Sequence, residues 1–315
     1  MKVVIIGTGF GENVVAPAWQ SLGCEVEIVS PRDDVAVRKA LAGKPDLVSI
    51  HSPPFMHKAH VLSALESGSA VLCDKPFGIS TGDARAMYDA AMECGAPNFL
   101  NFEFRCRASN LKVKELVDSG AIGTLQHGSW QAWNHLLRER NHGWLFDAAL
   151  GGGWLGAYGS HLIDNILWLT GSRVIECGGV SSISQTQRPD REGKLQDCTA
   201  EDAACFQLLL ENGFTANVDI SAAAPLYVEP RMTLIGSDGI IELYNDEALV
   251  LKRPDQREEK FTIEGEHNQF MGAQTAWLKN VKQALLDEAP LSPSFADGLA
   301  TARVLEQLKR SLERP

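Results

Sequence analysis

The chain has 315 residues, more than a single hydrophobic core comfortably organises, so two domains are expected. Its 40 acidic side chains outweigh 29 basic ones, and the formal net charge of −11 argues against nucleic acid and anionic membranes as partners, since Lys and Arg must neutralise phosphate in both cases. Seven cysteines without C-x-x-C spacing read as reduced thiols, and no apolar run is long enough for a signal core or a membrane span, so a cytoplasmic protein is expected.

The β-branched run from Lys2 to Ile6 stops at Gly7 and reads as a buried parallel strand. Helices are expected over 13–22, 34–42, 58–67 and 81–94, and further strands over 25–29, 47–50, 70–73 and 98–102. This alternation predicts an α/β domain, a doubly wound parallel sheet over residues 1–120. The pattern then changes to alternating segments at 125–133, 175–184, 203–210, 214–221 and 240–244, with Asn212-Gly213 and Asp238-Gly239 as hairpin signals. One strong helix interrupts them over 154–169, and an amphipathic stretch over 296–312 closes the chain. The expectation for 121–315 is an α+β domain with a largely antiparallel open sheet, its last helix packing back on the first domain.

Gly7-Thr8-Gly9-Phe10-Gly11 follows the first strand and opens a helix, where glycines let backbone N–H groups approach a pyrophosphate at the helix N-terminus. Glu12 stands where the third glycine of G-x-G-x-x-G would be, so the fingerprint is incomplete. The residue expected to grip the adenine ribose is Ser30, followed by Arg32; a hydroxyl and a guanidinium suit a 2′-phosphate, which points to NADP before NAD. Asp33 and Asp34 offer the opposite choice.

Three further segments carry chemistry. Ser52-Pro53-Pro54-Phe55-Met56-His57 follows the third strand and Asp74-Lys75-Pro76 the fourth, both at the strand ends where α/β sheets bind ligands. Gly151-Gly152-Gly153 leads into a helix bearing His161 and Asp164, which share one face at their three-residue spacing. With Arg105 and Gly120-Ala121-Ile122-Gly123, these segments closely resemble the family that includes glucose-fructose oxidoreductase and inositol dehydrogenase, over nearly the whole chain. The resemblance implies a Rossmann domain followed by an α+β domain, NAD or NADP, reversible oxidation of a sugar or polyol, and a homodimer or homotetramer. It makes Lys75 and His161 catalytic and Asp164 a substrate contact. Cofactor contacts are then expected at Gly7, Thr8, Gly9, Phe10, Gly11, Ser30, Arg32, Ser52, Pro53, His57, Asp74, Lys75 and Arg105.

Two departures from the family stand out. Ala157 occupies the position of an aspartate four residues before the histidine, and Asp74 replaces the usual glutamate. The first leaves room for two rivals, a dinucleotide-binding regulator without catalysis and an NAD-dependent glycosidase that works by transient oxidation and elimination. Trp130, Trp133, His135, Trp144 and Tyr158 are candidates for a sugar cleft or, one by one, for core. Arg138, Arg140 and His142 form a basic cluster suited to an acidic substrate or to solvent. His51, His57 and His60 have metal-like spacing, but no thiol or carboxylate completes a ligand set in sequence, and no metal is expected.

Overall fold

The structure is a computed structural model that describes residues 1–255, 257–263 and 270–312. Two compact units emerge: one of residues 1–106 with 270–303, the other of the described residues within 107–269 and 304–315.

In the first unit the chain runs β1 (Lys2–Ile6), α1 (Ala16–Ser21), β2 (Glu25–Val29), α2 (Asp34–Ala42), β3 (Leu47–Ile50), α3 (Pro54–Glu66), β4 (Ala70–Cys73), α4 (Thr81–Cys94) and β5 (Asn98–Leu100). The sheet has the order β2-β1-β3-β4-β5 and every pair is parallel, so the direction of winding reverses between β1 and β3. Layers of helix on both faces explain the unbroken apolar runs: β3 and β4 are buried throughout, and only the edge strand β2 is largely accessible. Val4, Ile6, Val48 and Val71 pack with Val37, Val61 and Met87 on one face, while Val3, Ile5, Leu47 and Leu72 pack around Trp19 on the other. The helix α3 starts at Pro54, earlier than the expected 58, because proline at the first helical position gives up only an N–H that would have no helical partner.

The second unit begins with α5 (Ala108–Asp118) and β6 (Leu125–Trp133), followed by α6 (Ser160–Thr170) and β7 (Val174–Ser182). A small hairpin of β8 (Gln187–Pro189) and β9 (Leu195–Asp197) precedes β10 (Ala203–Leu210), β11 (Thr215–Ser221), β12 (Val228–Gly236), β13 (Ile240–Tyr244), β14 (Ala248–Lys252) and β15 (Glu258–Thr262). These form an eight-stranded sheet, β15-β14-β13-β12-β6-β11-β10-β7, antiparallel except where β6 meets β11. Alternate residues such as Trp130, Phe206, Val218, Leu234 and Ile241 face a core that includes Ile163, Ile166 and Leu169 of α6.

Two elements depart from the sequence boundaries. Val113 and Leu116 of α5 pack in the second core, so the unit border lies at Arg107 rather than at 120. After 263 the chain returns: α7 (Phe270–Leu286) places Trp277, Leu278 and Val281 in the first unit. The last helix, α8 (Phe295–Leu312), divides its apolar side chains, Phe295, Leu299 and Ala302 going to the first core and Val304, Leu305 and Leu308 to the second.

Candidate functional site

At the carboxyl end of β1 the Gly7 N–H donates to the Val29 carbonyl at 3.1 Å, which closes the turn tightly. A Cβ on Gly7 would lie 2.7 Å from the His51 carbonyl oxygen, and one on Gly11 would lie 2.9 Å from Ile5, so both positions exclude side chains. Gly9 differs: nothing lies within 4 Å of its Cβ direction, it is exposed with Thr8, and the N–H groups of these two residues have no partner among the described residues. Donors pointing from an open turn at a helix start are the cradle an anionic pyrophosphate fits. The residues present therefore suit a dinucleotide.

The neighbouring loops are tied together by the three histidines whose spacing resembled a metal set. His51 Nδ1 lies 3.0 Å from Asp74 Oδ2, and His60 Nδ1 3.0 Å from Ser52 Oγ. His57 is fully enclosed, with Nε2 2.7 Å from the Ser52 carbonyl oxygen and Nδ1 3.1 Å from that of Pro76. Burial drops its pKa to about 4, against the pull of the Asp74 charge and the two carbonyls, which compete for the single proton of a neutral ring. Thus the imidazoles brace the strand-end loops. Among the described residues, no three His, Cys, Asp or Glu side chains are gathered to hold a metal ion.

Asp74 and Lys75 occupy the corner after β4. The Asp74 Oδ1 accepts from the Lys75 N–H at 2.9 Å and from Asn101 Nδ2 at 3.3 Å. Burial works to raise this carboxyl, yet the hydrogen bond from His51 and the positive charge of Lys75 hold it below the usual carboxylate range. Asn101 in turn exchanges amide bonds of 3.2 and 3.0 Å with Gln274 of α7, a helix the sequence had not revealed. Arg105 is buried and donates to Ser292 Oγ at 2.8 Å and Asp297 Oδ1 at 2.9 Å, which joins it to the returning segment. On the β2 side Ser30 Oγ accepts from the Arg32 N–H at 3.4 Å while the Arg32 side chain is exposed. Asp33 caps α2, accepting from the Ala36 N–H at 2.9 Å, which commits one of its oxygens to the helix start.

In the second unit His161 and Asp164 are both buried on α6. Their helix is set by the glycine run. Gly151 and Gly153 have positive φ values of 74° and 108°, and a Cβ on Gly152 would lie 2.5 to 2.7 Å from the carbonyl oxygens of Trp144, Leu145 and Asp147. Glu201, absent from the sequence reading, explains Gly153: its carboxylate lies 2.2 Å from where a Cβ would be, and it accepts at 2.9 Å from the N–H of Leu155, the first residue of a π-helical turn (Leu155–Gly159) that runs directly into α6. Burial pushes the Glu201 carboxyl up, opposed by that N–H. Only an acidic residue at the head of β10 hinted at this role, and nothing in its spacing pointed to a helix 46 residues earlier.

Of the aromatic candidates, Trp130 is core, whereas Tyr158 stacks on Trp154 with centroids 5.2 Å apart and an interplanar angle of 5°. Burial raises the Tyr158 phenol to about 12, so it stays a hydrogen-bond donor at neutral pH. Arg138, Arg140 and His135 are exposed, and the loop under the two arginines is held by buried Arg188, which donates to the carbonyls of Leu137, Arg138 and Arg140 at 2.6 to 3.1 Å.

Two descriptions of one family match the chain: an oxidoreductase family with an NAD-binding Rossmann fold over residues 29–102, and the C-terminal domain of the GFO/IDH/MocA group over 110–242. An uncharacterized oxidoreductase of Synechocystis sp. is 28% identical over 76% of this chain and 72% of its own length. D-glucoside 3-dehydrogenase of Escherichia coli is 34% identical over 54% of each chain. Among solved structures, levoglucosan dehydrogenase in complex with NADH and levoglucosan superposes with a TM-score of 0.88 at 19% identity, covering 99% of this chain and 96% of that one. An oxidoreductase domain protein from Kribbella flavida reaches 0.86 at 24% identity over 98% and 96% of the two chains. At these identities the structural likeness speaks for the fold.

Proposed function

Because the chain belongs to the GFO/IDH/MocA oxidoreductase family, with its NAD-binding Rossmann fold, we propose that it moves hydride between a nicotinamide dinucleotide and a hydroxyl or carbonyl carbon of a sugar, polyol or related compound. The observation that carries this is the corner at the carboxyl end of β4. It presents Lys75 on the same sheet edge as the open Gly9 turn, with its main chain held by a half-buried, charged Asp74. The sugar-directed names of the E. coli relative and of the levoglucosan enzyme support the substrate class.

The bound dinucleotide supplies the hydride acceptor or donor. Everything else falls to the protein. The Thr8 and Gly9 N–H groups hold phosphate, and Arg32 with Ser30 takes a 2′-phosphate, which makes NADP the better fit since Asp33 is engaged as a helix cap. Lys75 and His161 exchange the proton of the reacting hydroxyl, and Asp164 accepts from a neighbouring one. A homodimer or homotetramer in the cytoplasm belongs to the same proposal.

The test is Lys75→Ala assayed with a panel of aldoses and polyols at the reduced-nicotinamide absorbance. Turnover falls by about 100- to 10,000-fold while dinucleotide binding survives; turnover within a few fold of wild type overturns the assignment. Silence of the wild-type protein across the panel despite tight dinucleotide binding would favour a regulator, a reading to which Ala157 lends support. Release of an aglycone without net change of the cofactor would identify a glycosidase.

A further inference from the structure

His51 sits where two loops of the first unit meet, and nothing in its sequence context gave it a role beyond metal-like spacing. On one side it fills the room left by the glycine turn: the Cβ direction of Gly7 runs to within 3.1 Å of His51 Cβ, that of Gly11 does the same, and the Phe10 ring meets the imidazole at a tilt of 59° with 5.7 Å between centroids. On the other side its Nδ1 reaches Asp74. It is thus the physical link between the dinucleotide turn and the Asp74–Lys75 corner.

The Asp74 carboxylate can only accept, so the His51 Nδ1 that faces it at 3.0 Å carries a proton. Trp19 Nε1–H can only donate, and it points to Ser49 Oγ at 3.5 Å. The Ser49 hydroxyl therefore accepts there, and its one proton has a single acceptor among the described residues, His51 Nε2 at 2.8 Å. With Nε2 accepting, the ring proton of a neutral imidazole lies on Nδ1, which faces the carboxylate at 3.0 Å. The chain ends in an indole that gives up no proton at working pH, so it has no exit and cannot conduct. What it does is orient.

We propose that His51 is a positioning residue: locked as the Nδ1–H tautomer by Ser49 and Trp19, it turns Asp74 so that the second carboxylate oxygen receives the Lys75 N–H, and so couples a filled dinucleotide turn to the placement of Lys75. Asn101, itself held by Gln274, donates to the same oxygen and completes the clamp. This inference rests on the proposed role of Lys75.

Two measurements test it. In His51→Leu, kcat falls by about 10- to 100-fold, because a misaimed reacting group loses that much. His51→Asn, whose amide can donate from the position of Nδ1, recovers most of the loss. A kcat for His51→Leu within twofold of wild type, or His51→Asn no better than His51→Leu, overturns the proposal. Independently of turnover, nitrogen-15 NMR of the labelled ring in the intact protein at neutral pH shows protonated Nδ1 and bare Nε2, and Ser49→Ala loosens that preference. A ring found as the Nε2–H tautomer or as imidazolium sinks the inference even in an active enzyme. Absence of turnover on any substrate, with the Nδ1–H tautomer intact, would instead sink the reading of Lys75.

Discussion

The molecule has two glycine runs at two helix starts, and they do opposite things. At Gly7-Thr8-Gly9-Phe10-Gly11 the outer glycines make room for protein, for His51 and Ile5, but Gly9 borders open space, with N–H groups beside it that have no partner among the described residues. At Gly151-Gly152-Gly153 the space is already taken: three carbonyl oxygens crowd Gly152 and the Glu201 carboxylate crowds Gly153. The first run leaves room for a guest and the second leaves room for the chain itself. A glycine motif therefore gains meaning only from what a side chain would meet there, which is why the two look equally functional in sequence.

The difference can be broken experimentally. Gly153→Ala carries the largest expected effect, since it combines a φ of 108° with a Cβ 2.2 Å from Glu201 Oε1. The two costs together amount to about 3 to 5 kcal/mol of stability, read as a lowered urea midpoint. An unchanged midpoint would mean that Glu201 does not hold the helix of His161.

Next in size is an acid effect confined to the first unit. The His57 pKa is about 4 in the fold against the ordinary imidazole value of 6.5, so it is neutral there while the unfolded chain takes up a proton between these values. A depressed histidine of this kind contributes stability that is complete above pH 6.5 and is lost as pH falls toward 4. The loss is about 3 kcal/mol. Urea titrations from pH 7 to 4 show this slope in wild type and a shallower one in His57→Asn; equal slopes would move the acid sensitivity elsewhere, with His60, also depressed by burial, the first place to look.

The smallest change sharpens the contrast. Gly9→Ala has nothing within 4 Å to strike, so the urea midpoint stays within about 0.5 kcal/mol of wild type. The dissociation constant of the reduced dinucleotide, followed by its fluorescence, rises about tenfold because the added methyl keeps the phosphate from the N–H groups. Loss of stability instead of affinity would put Gly9 in the same class as Gly153.

Local pattern determined much of this protein by itself. The buried runs at β1, β3 and β4 could only be parallel strands covered on both faces, and the alternation in β6, β10, β11 and β13 could only belong to a sheet with one covered face, because side-chain period and burial are properties of neighbouring residues. The residues of the candidate site were named for the same reason: glycine turn, Asp74-Lys75 and the His161 helix are short contiguous motifs at element ends. Tertiary structure alone decided what holds each of them in place. The helix α7 with Gln274, the pairing of Glu201 with a helix start far behind it, and the use of His51, His57 and His60 as braces between loops all depend on segments distant in sequence being brought within hydrogen-bond reach. A hydrogen bond leaves no periodic trace in either partner, so only folding reveals it.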